Sequence, residues 1–336
     1  WRLENFFPSD TYLIPNARYV SILDEVDFRT LENELPVKVI SVPKTQSTPR
    51  IIAMEPVCMQ YAQQAVSRAI VEGLNEDKIL KRFLRLDRQE VNQLLAREGS
   101  ITGALATLDL SEASDRVPNE LVRFLTGRWQ HLDGAIQACR SRRAVVRLGE
   151  GETEVPLAKF ASMGSALTFP IETIIFLVIC FVGIERSLGR RLSEADIVNF
   201  SGTVAVYGDD IIAPVDHVGS VVHALEAFGF KVNSQKSFWT GKFRESCGKD
   251  YYDGTDVSYV KFRKQWPDDR QCVEEIIALV SFFNQVNDAH YTNTASWLKR
   301  QLIVLLQGYF PKVRRDSEIL GEWDDYQQDV TRINPR

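Results

Sequence analysis

The reading of this chain turns on residues 203–214, Thr203-Val204-Ala205-Val206-Tyr207-Gly208-Asp209-Asp210-Ile211-Ile212-Ala213-Pro214. Two short apolar, β-branched runs flank a Gly-Asp pair, the pattern of a tight β-hairpin. Such a hairpin carries the carboxylates of Asp209 and Asp210 side by side on its tip. Like charges this close repel, and burial pushes their pKa values up. A solvated hairpin tip is the competing reading. Apolar flanks on both sides, and a third carboxylate in a similar setting upstream, favour a counter-charge instead.

That third carboxylate is Asp109. Residues 104–110, Ala-Leu-Ala-Thr-Leu-Asp-Leu, read as a buried strand with the acid near its end. Ser111 to Asp115 is a polar turn, and Pro118 starts a helix expected to run to about Trp129. A helix N-cap is the competing role for Asp115. Ala161 to Thr168 is a loop of small residues, which lets a backbone approach something closely; a plain helix entry is the alternative. It feeds a long helix through Pro170 to about Leu188. Beyond the hairpin, Asp216 is expected to cap a helix from His217 to Phe228, ended by Gly229. Phe230 to Asn233 reads as a strand, and Ser234 to Ser237 as a loop carrying Lys236.

Further out, Val37 to Lys44 and Arg50 to Met54 read as strands joined by a polar loop. Lys44 and Arg50 bracket that loop, either as surface charge or as a basic finger gripping a triphosphate. Pro56 opens a helix from Val57 to Glu72. Residues 75–98 read as helical, with Lys78, Lys81, Arg82, Arg85 and Arg88 on one face. That stripe is solvated surface or a track for a phosphate backbone. Arg140, Arg142, Arg143 and Arg147 surround Val145-Val146 in a basic strand. Residues 245–263 read as turn-rich β-structure, Val273 to Phe283 and Thr294 to Leu306 as helices, and the acidic tail from Asp316 as peripheral.

The 336 residues call for two or three subdomains. Hydrophobic content of 44% and charge of 25% are globular values. The net charge of −5 argues against a nucleic-acid partner, but the basic residues are clustered. Five cysteines without a C-x-x-C pair support neither a zinc ribbon nor a disulfide framework, and fit a reducing compartment. The four histidines form no H-E-x-x-H pattern. Ile174 to Ile184 is too short for the roughly 20 residues of a spanning helix, so a soluble chain with a buried core helix and no membrane is expected. The chain begins at Trp1 without a signal-peptide pattern, which reads as a fragment or a processed form.

The order strand, helix, buried helix, hairpin, helix, strand over residues 104–260 is a β-α-β-β-α-β plan, ferredoxin-like and of the α+β class. That plan sets the Asp109 strand beside the hairpin. Three carboxylates without His or Cys make an all-oxygen site suited to Mg²⁺ or Mn²⁺. Such sites run two-metal displacement at phosphorus, with the protein supplying position and charge.

Asp109-x5-Asp115, Ser162-Met163-Gly164-x3-Thr168, Tyr207-Gly208-Asp209-Asp210 and Gly229-Phe230-Lys231-x4-Lys236 resemble motifs A to D of viral RNA-dependent RNA polymerases. Lys44-x5-Arg50 resembles their basic finger motif F. Val42-Pro43-Lys44, Asp109-Leu110-Ser111-x-Ala113-Ser114-Asp115, Ser162-Met163-Gly164 and residues 243–249, Phe-Arg-Glu-Ser-Cys-Gly-Lys, resemble the replicases of the leviviruses, single-stranded RNA bacteriophages. The resemblance covers roughly residues 37–265.

The resemblance implies a right-hand polymerase: fingers at 1–103 with motif F at 37–54, palm at 104–130, a fingers insertion at 131–157, palm again at 158–263, and a mostly helical thumb with the tail at 264–336. It implies that Asp109 and Asp209 ligate two Mg²⁺ ions, replaceable by Mn²⁺, with Asp210 supporting. Asp115 and Thr168 would sense the ribose 2′-hydroxyl, and Ser162, Gly164 and Thr168 would hold template and incoming base. Lys44 and Arg50 would neutralise the triphosphate. Lys236 would be the general acid for pyrophosphate, with Lys231 as the alternative. Many animal-virus polymerases carry Asn where this chain has Glu172, which leaves the ribose network open. A reverse transcriptase and a catalytically silent RNA-binding palm are the other readings. Gly208 before the acid pair, Asp115 in place of a bulky steric gate and three intact carboxylates count against them. Implied partners are an RNA template, NTPs, host elongation factors Tu and Ts and a host ribosomal protein, in the bacterial cytoplasm.

Overall fold

Two short helices, α1 (Arg2–Phe6) and α2 (Ser9–Tyr12), and a 3₁₀ segment (Ala17–Glu25) precede the first strand pair. The computed structural model describes residues 2–12, 16–30, 32–43, 49–149, 151–262 and 264–324. Strands β1 (Val37–Pro43) and β2 (Pro49–Met54) pair antiparallel, from Lys38↔Met54 to Pro43↔Pro49. Lys44 and the rest of the expected loop lie outside the described residues. Helix α3 (Val57–Glu76) follows Pro56 and buries Met59, Ala62, Val66, Ile70 and Leu74 along one stripe.

The helix expected over residues 75–98 is not continuous. The Asp77 carboxylate accepts from the Ile79 and Leu80 amides at 2.8 Å, which closes α3 into a turn. A 3₁₀ turn (Leu80–Arg82) then delivers Phe83 and Leu84 to the core. Leu84 bridges Val206, whose amide donates to Phe83 O. The Phe83 carbonyl and the Leu84 bridge are given to β7, so this backbone cannot continue as a helix that keeps those groups for its own ladder. Helix resumes only at α4 (Glu90–Thr102), so Lys78, Lys81, Arg82, Arg85 and Arg88 do not share a helix face.

Next come β3 (Leu105–Leu108), β4 (Leu110–Ser111), α5 (Asn119–Thr126), α6 (Gln130–Cys139), β5 (Arg143–Leu148), β6 (Gly151–Pro156), α7 (Thr168–Leu188) and α8 (Glu194–Asn199). They are followed by β7 (Ala205–Tyr207), β8 (Asp210–Pro214), α9 (Val218–Ala227), β9 (Lys231–Val232) and a meander, β10 (Phe243–Ser246), β11 (Lys249–Tyr252) and β12 (Thr255–Asp256). Helix α5 stops at Thr126 rather than Trp129, and α6 follows directly. Asp216 does not cap α9: it lies in a 3₁₀ turn (Val215–His217), and the helix has no side-chain cap.

The central sheet runs β3-β8-β7, all antiparallel. The other edge of β3 meets Phe238 at Thr107, and β4 pairs with β9. The strand order is therefore last, first, third, second, as the ferredoxin-like plan requires. Helices α7 and α9 cover this sheet: Ile175, Phe176 and Ile179, with Val221 and Leu225, share one core with Leu108, Val206 and Ile211. By length and composition α7 matches a membrane-spanning helix, but 67% of its most apolar window is buried in this core. A second sheet, β2-β1-β5-β6, sets β1 parallel to β5.

The described residues fall into two compact units, one up to Ser258 and one from Tyr259 onward. The second unit packs α10 (Val273–Asp288) on α11 (Thr292–Leu305) through Leu279, Phe283, Leu298 and Leu302, and pairs β13 (Lys312–Val313) with β14 (Glu322–Trp323). The tail is not peripheral as far as Asp324. Buried Asn284 donates to Gly321 O and accepts from the Trp323 amide, both at 2.9 Å.

Candidate active site

The β7–β8 hairpin pairs Ala205↔Ile212, Val206↔Ile211 and Tyr207↔Asp210, leaving Gly208-Asp209 as a two-residue turn. Gly208 has φ +60°, and a Cβ there would stand 2.9 Å from the Phe169 ring. Both facts demand glycine. Its amide donates to Thr173 Oγ1 at 3.0 Å, and the Phe169 and Tyr207 rings meet edge-on. Helix α7 thus carries the hairpin tip.

The β3–β8 ladder runs from Leu105↔Pro214 to Leu108↔Ile211, so Asp109 and Asp210 occupy its next positions. The Asp109 backbone is clamped from the loop after β9: its carbonyl accepts from the Asn233 amide at 2.9 Å, and its amide donates to Ser237 Oγ at 3.0 Å. Asn233 Nδ2 donates to Asp109 Oδ2 at 2.9 Å. Lys236 sits in that same loop, half exposed, with Nζ 3.8 Å from Glu245 Oε1. Lys231 pairs with Ser111 in the β4–β9 ladder.

Asp210 Oδ1 accepts from the Cys247 amide and Ser246 Oγ, each at 3.2 Å, and its carbonyl accepts from Asn92 Nδ2. Burial pushes the Asp210 carboxyl up to about 6; the charges of Asp209 and Asp109 push the same way, and the two hydrogen bonds oppose them. The charges of Asp109 and Asp209 thus both reach Asp210.

Glu172, on α7, is buried; its Oε2 accepts from Ser114 Oγ at 2.7 Å. Burial raises its carboxyl to about 8 against that bond, helped by the charges of Asp209 and Asp115. Asp115 is not an N-cap: α5 starts after Pro118 without a side-chain cap. Its carboxylate instead takes Lys159 Nζ at 2.6 Å.

The loop before α7 is strapped from two sides. Gly164 has φ +121°, and a Cβ there would meet Ala53 O at 2.1 Å. Ala53 of β2 donates its amide to Met163 O at 2.8 Å. Buried Gln63 accepts from the Ala166 amide and donates to Cys139 O. Ser162 and Thr168 are both buried, and the Thr168 hydroxyl donates to Ser162 O at 2.9 Å. Arg50 is exposed on β2.

Sequence reasoning missed Asn92, Lys159, Asn233, Ser237 and Gln63 as partners of the site. Each is an ordinary polar residue whose role depends on a partner far along the chain. Ser246 and Cys247 stood inside a quoted motif, but nothing local ties them to Asp210.

The donor set is all oxygen, which suits Mg²⁺. Among the described residues no group of three or more His, Cys, Asp or Glu is placed to hold a metal ion. A cation would also relieve the repulsion that raises Asp210.

The fold is that of viral RNA-dependent RNA polymerases. The chain superposes on the polymerase of a human picorbirnavirus with a TM-score of 0.52 at 12% identity, covering 74% of this chain and 52% of that one. It matches a chain of the RNA polymerase complex inside a dsRNA virus with a TM-score of 0.53 at 12% identity, over 85% of this chain and 27% of that one. Residues 15–312 match the model of the RNA replicase, beta-chain family, and the chain belongs to that family. It is 37% identical over 274 residues to the RNA-directed RNA polymerase subunit beta of Escherichia virus Qbeta, covering 78% of this chain and 43% of the relative. With the RNA-directed RNA polymerase beta chain of Escherichia phage MS2 the identity is 34% over 251 residues, 74% of this chain and 40% of the relative. The chain thus spans about two fifths of the length of these curated relatives.

Proposed function

We propose that this chain is the catalytic core of a phage RNA-dependent RNA polymerase, joining ribonucleoside triphosphates to an RNA 3′-hydroxyl on an RNA template. It would replicate the phage genome in the bacterial cytoplasm. One observation carries the reading: the β3–β8 register sets Asp109 against the Asp209-Asp210 hairpin, with each side anchored by its own donors. Family membership supports it.

On this reading Asp109 and Asp209 hold two Mg²⁺ ions, replaceable by Mn²⁺, with Asp210 supporting. When bound, the ions activate the 3′-hydroxyl and neutralise triphosphate charge. Asp115, oriented by Lys159, presents its carboxylate to the ribose 2′-hydroxyl. Thr168 sets the shape of the Ser162–Gly164 loop, which takes template and incoming base. Lys44 and Arg50 hold the triphosphate. Lys236 gives a proton to pyrophosphate; it is preferred over Lys231 because Asn233 and Ser237 dock its loop on Asp109. Fingers (1–103 and 131–157), palm (104–130 and 158–263) and thumb (264–336) follow from the same reading. So do elongation factors Tu and Ts and a ribosomal protein as host partners.

Primer extension with a defined RNA template, Mg²⁺ and four ribonucleotides tests the proposal. Synthesis from ribo- but not deoxyribonucleotides is expected. Asp209→Asn is expected to abolish synthesis and leave RNA binding intact; persisting synthesis would overturn the site assignment.

A further inference from the structure

Outside the carboxylate site, α1, α5, α6 and the segment before β5 line an open pocket of about 470 Å³. That is within the roughly 300–1,000 Å³ of small-ligand sites. Arg2, Arg123, Arg140 and Arg142 line it, with Phe6 and Asn119. No residue of the candidate active site does.

Arg140 is the informative group. It is only 8% exposed. Its Nη1 donates to the carbonyls of Ser141, Lys159 and Phe160 at 3.3, 3.1 and 3.2 Å, all neutral acceptors. Its Nε is buried without a partner, and the hydrogen bonds its guanidinium makes among the described residues all come from Nη1. A guanidinium this deep is costly unless an anion meets it. Glu34 and Glu55 act on Arg140 electrostatically, but neither accepts a hydrogen bond from its guanidinium among the described residues, and Glu55 takes the Ser141 hydroxyl. Arg2 donates to Glu34 and Arg142 donates to the same carboxylate at 3.0 Å, so one acid already serves two cations. The Nε atoms of Arg2 and Arg142 are also buried and unpartnered. Asp133, in the wall, accepts from Thr126 Oγ1 at 2.7 Å. Arg123 is exposed and makes no ion pair among the described residues. Burial, then the charges of Arg2 and Arg142, pulls Arg140 down to about 10, against a smaller pull from Glu34 and Glu55.

The rest of the wall narrows the anion. The Phe6 ring is 41% exposed. The Asn119 and Gln137 amides pair with each other beside it, at 3.2 and 3.0 Å. A half-exposed aromatic ring, its tip against Gly134, with planar amides next to guanidinium groups suits a base attached to a phosphate. An acidic peptide would leave the half-exposed ring without a stacking counterpart. We propose that this pocket is a nucleotide site separate from the carboxylate centre, with the phosphate on Arg140, Arg142 and Arg123 and the base on Phe6. The polymerase reading bears only on the source, a free ribonucleotide or one unit of an RNA strand.

The test is calorimetric titration of the full chain with GMP, guanosine and inorganic phosphate in EDTA, where metal-dependent binding at the carboxylates is silent. GMP is expected to bind more tightly than either fragment. Arg123→Ala removes an exposed side chain, so an unchanged melting temperature is expected, with GMP affinity lower by about tenfold, the loss of one charge-assisted contact. Arg142→Gln is expected to weaken GMP in the same way, and Asp209→Asn to bind it like the parent chain. A single-stranded RNA pentamer that displaces GMP assigns the site to a strand; one that does not assigns it to a free nucleotide. No GMP binding in EDTA, or titrations of Arg123→Ala and Arg142→Gln that match the parent chain, would sink the proposal. Absence of RNA synthesis by the parent chain with GMP binding intact would overturn the polymerase reading alone.

Discussion

Glu172 stands where three acidic residues converge, beneath the Gly208 turn and bonded to Ser114. Its carboxyl ionises at about 8 in the folded chain, against an ordinary value of 4.5. Between those values the folded chain binds more protons than the unfolded one, so stability falls as pH rises from 4.5 through about 8. Glu172→Gln keeps an acceptor for Ser114 and has no proton to lose. In EDTA, the melting temperature of the parent chain is expected to fall several degrees further than that of Glu172→Gln between about pH 5 and pH 8.5. Parallel pH profiles would contradict this. Gly208→Ala forces a side chain into left-handed backbone, at about 1–2 kcal/mol, and against the Phe169 ring. Lower thermal stability and loss of primer extension are expected together.

At the scale of elements, the loop between residues 161 and 167 is shaped by what straps it. β2 holds it through Ala53, and α3 holds it through Gln63. Gln63→Leu leaves the Ala166 amide and the Cys139 carbonyl without these partners, at about 1–3 kcal/mol each. A rise in KM for template that exceeds the fall in kcat is expected in steady-state extension. A lower melting temperature with KM unchanged would make the strap purely structural. The same scale explains the broken helix at 75–98: charge spacing suggested a helical stripe, but Phe83 and Leu84 close the outer edge of β7.

For the whole molecule, a net charge of −5 means that, on the proposed polymerase function, RNA would be held by local basic patches. Affinity for a short RNA, followed by anisotropy, is expected to drop at least about tenfold between 50 and 200 mM salt. A flat response would rule out that mode of binding. Chelation is expected to stop synthesis and sparing Mg²⁺ to restore it, with RNA binding unchanged throughout, as filter binding would measure.

The sequence by itself determined the hairpin, the Asp109 strand, the buried helix α7 and the β-α-β-β-α-β order, because each is written in local periodicity and turn chemistry. It also singled out the acidic residues, since an acid inside an apolar run is conspicuous wherever the chain goes. Only the tertiary structure decided what holds them: Asn233 and Ser237 on Asp109, Ser246 and Cys247 on Asp210, Lys159 on Asp115. The same holds for Arg140, which a linear reading placed at the edge of a basic strand and the fold buried against three carbonyls. Side-chain partners of these acids 36 to 128 residues away leave no periodic trace, because their pairing depends on register and packing rather than on neighbours in the chain.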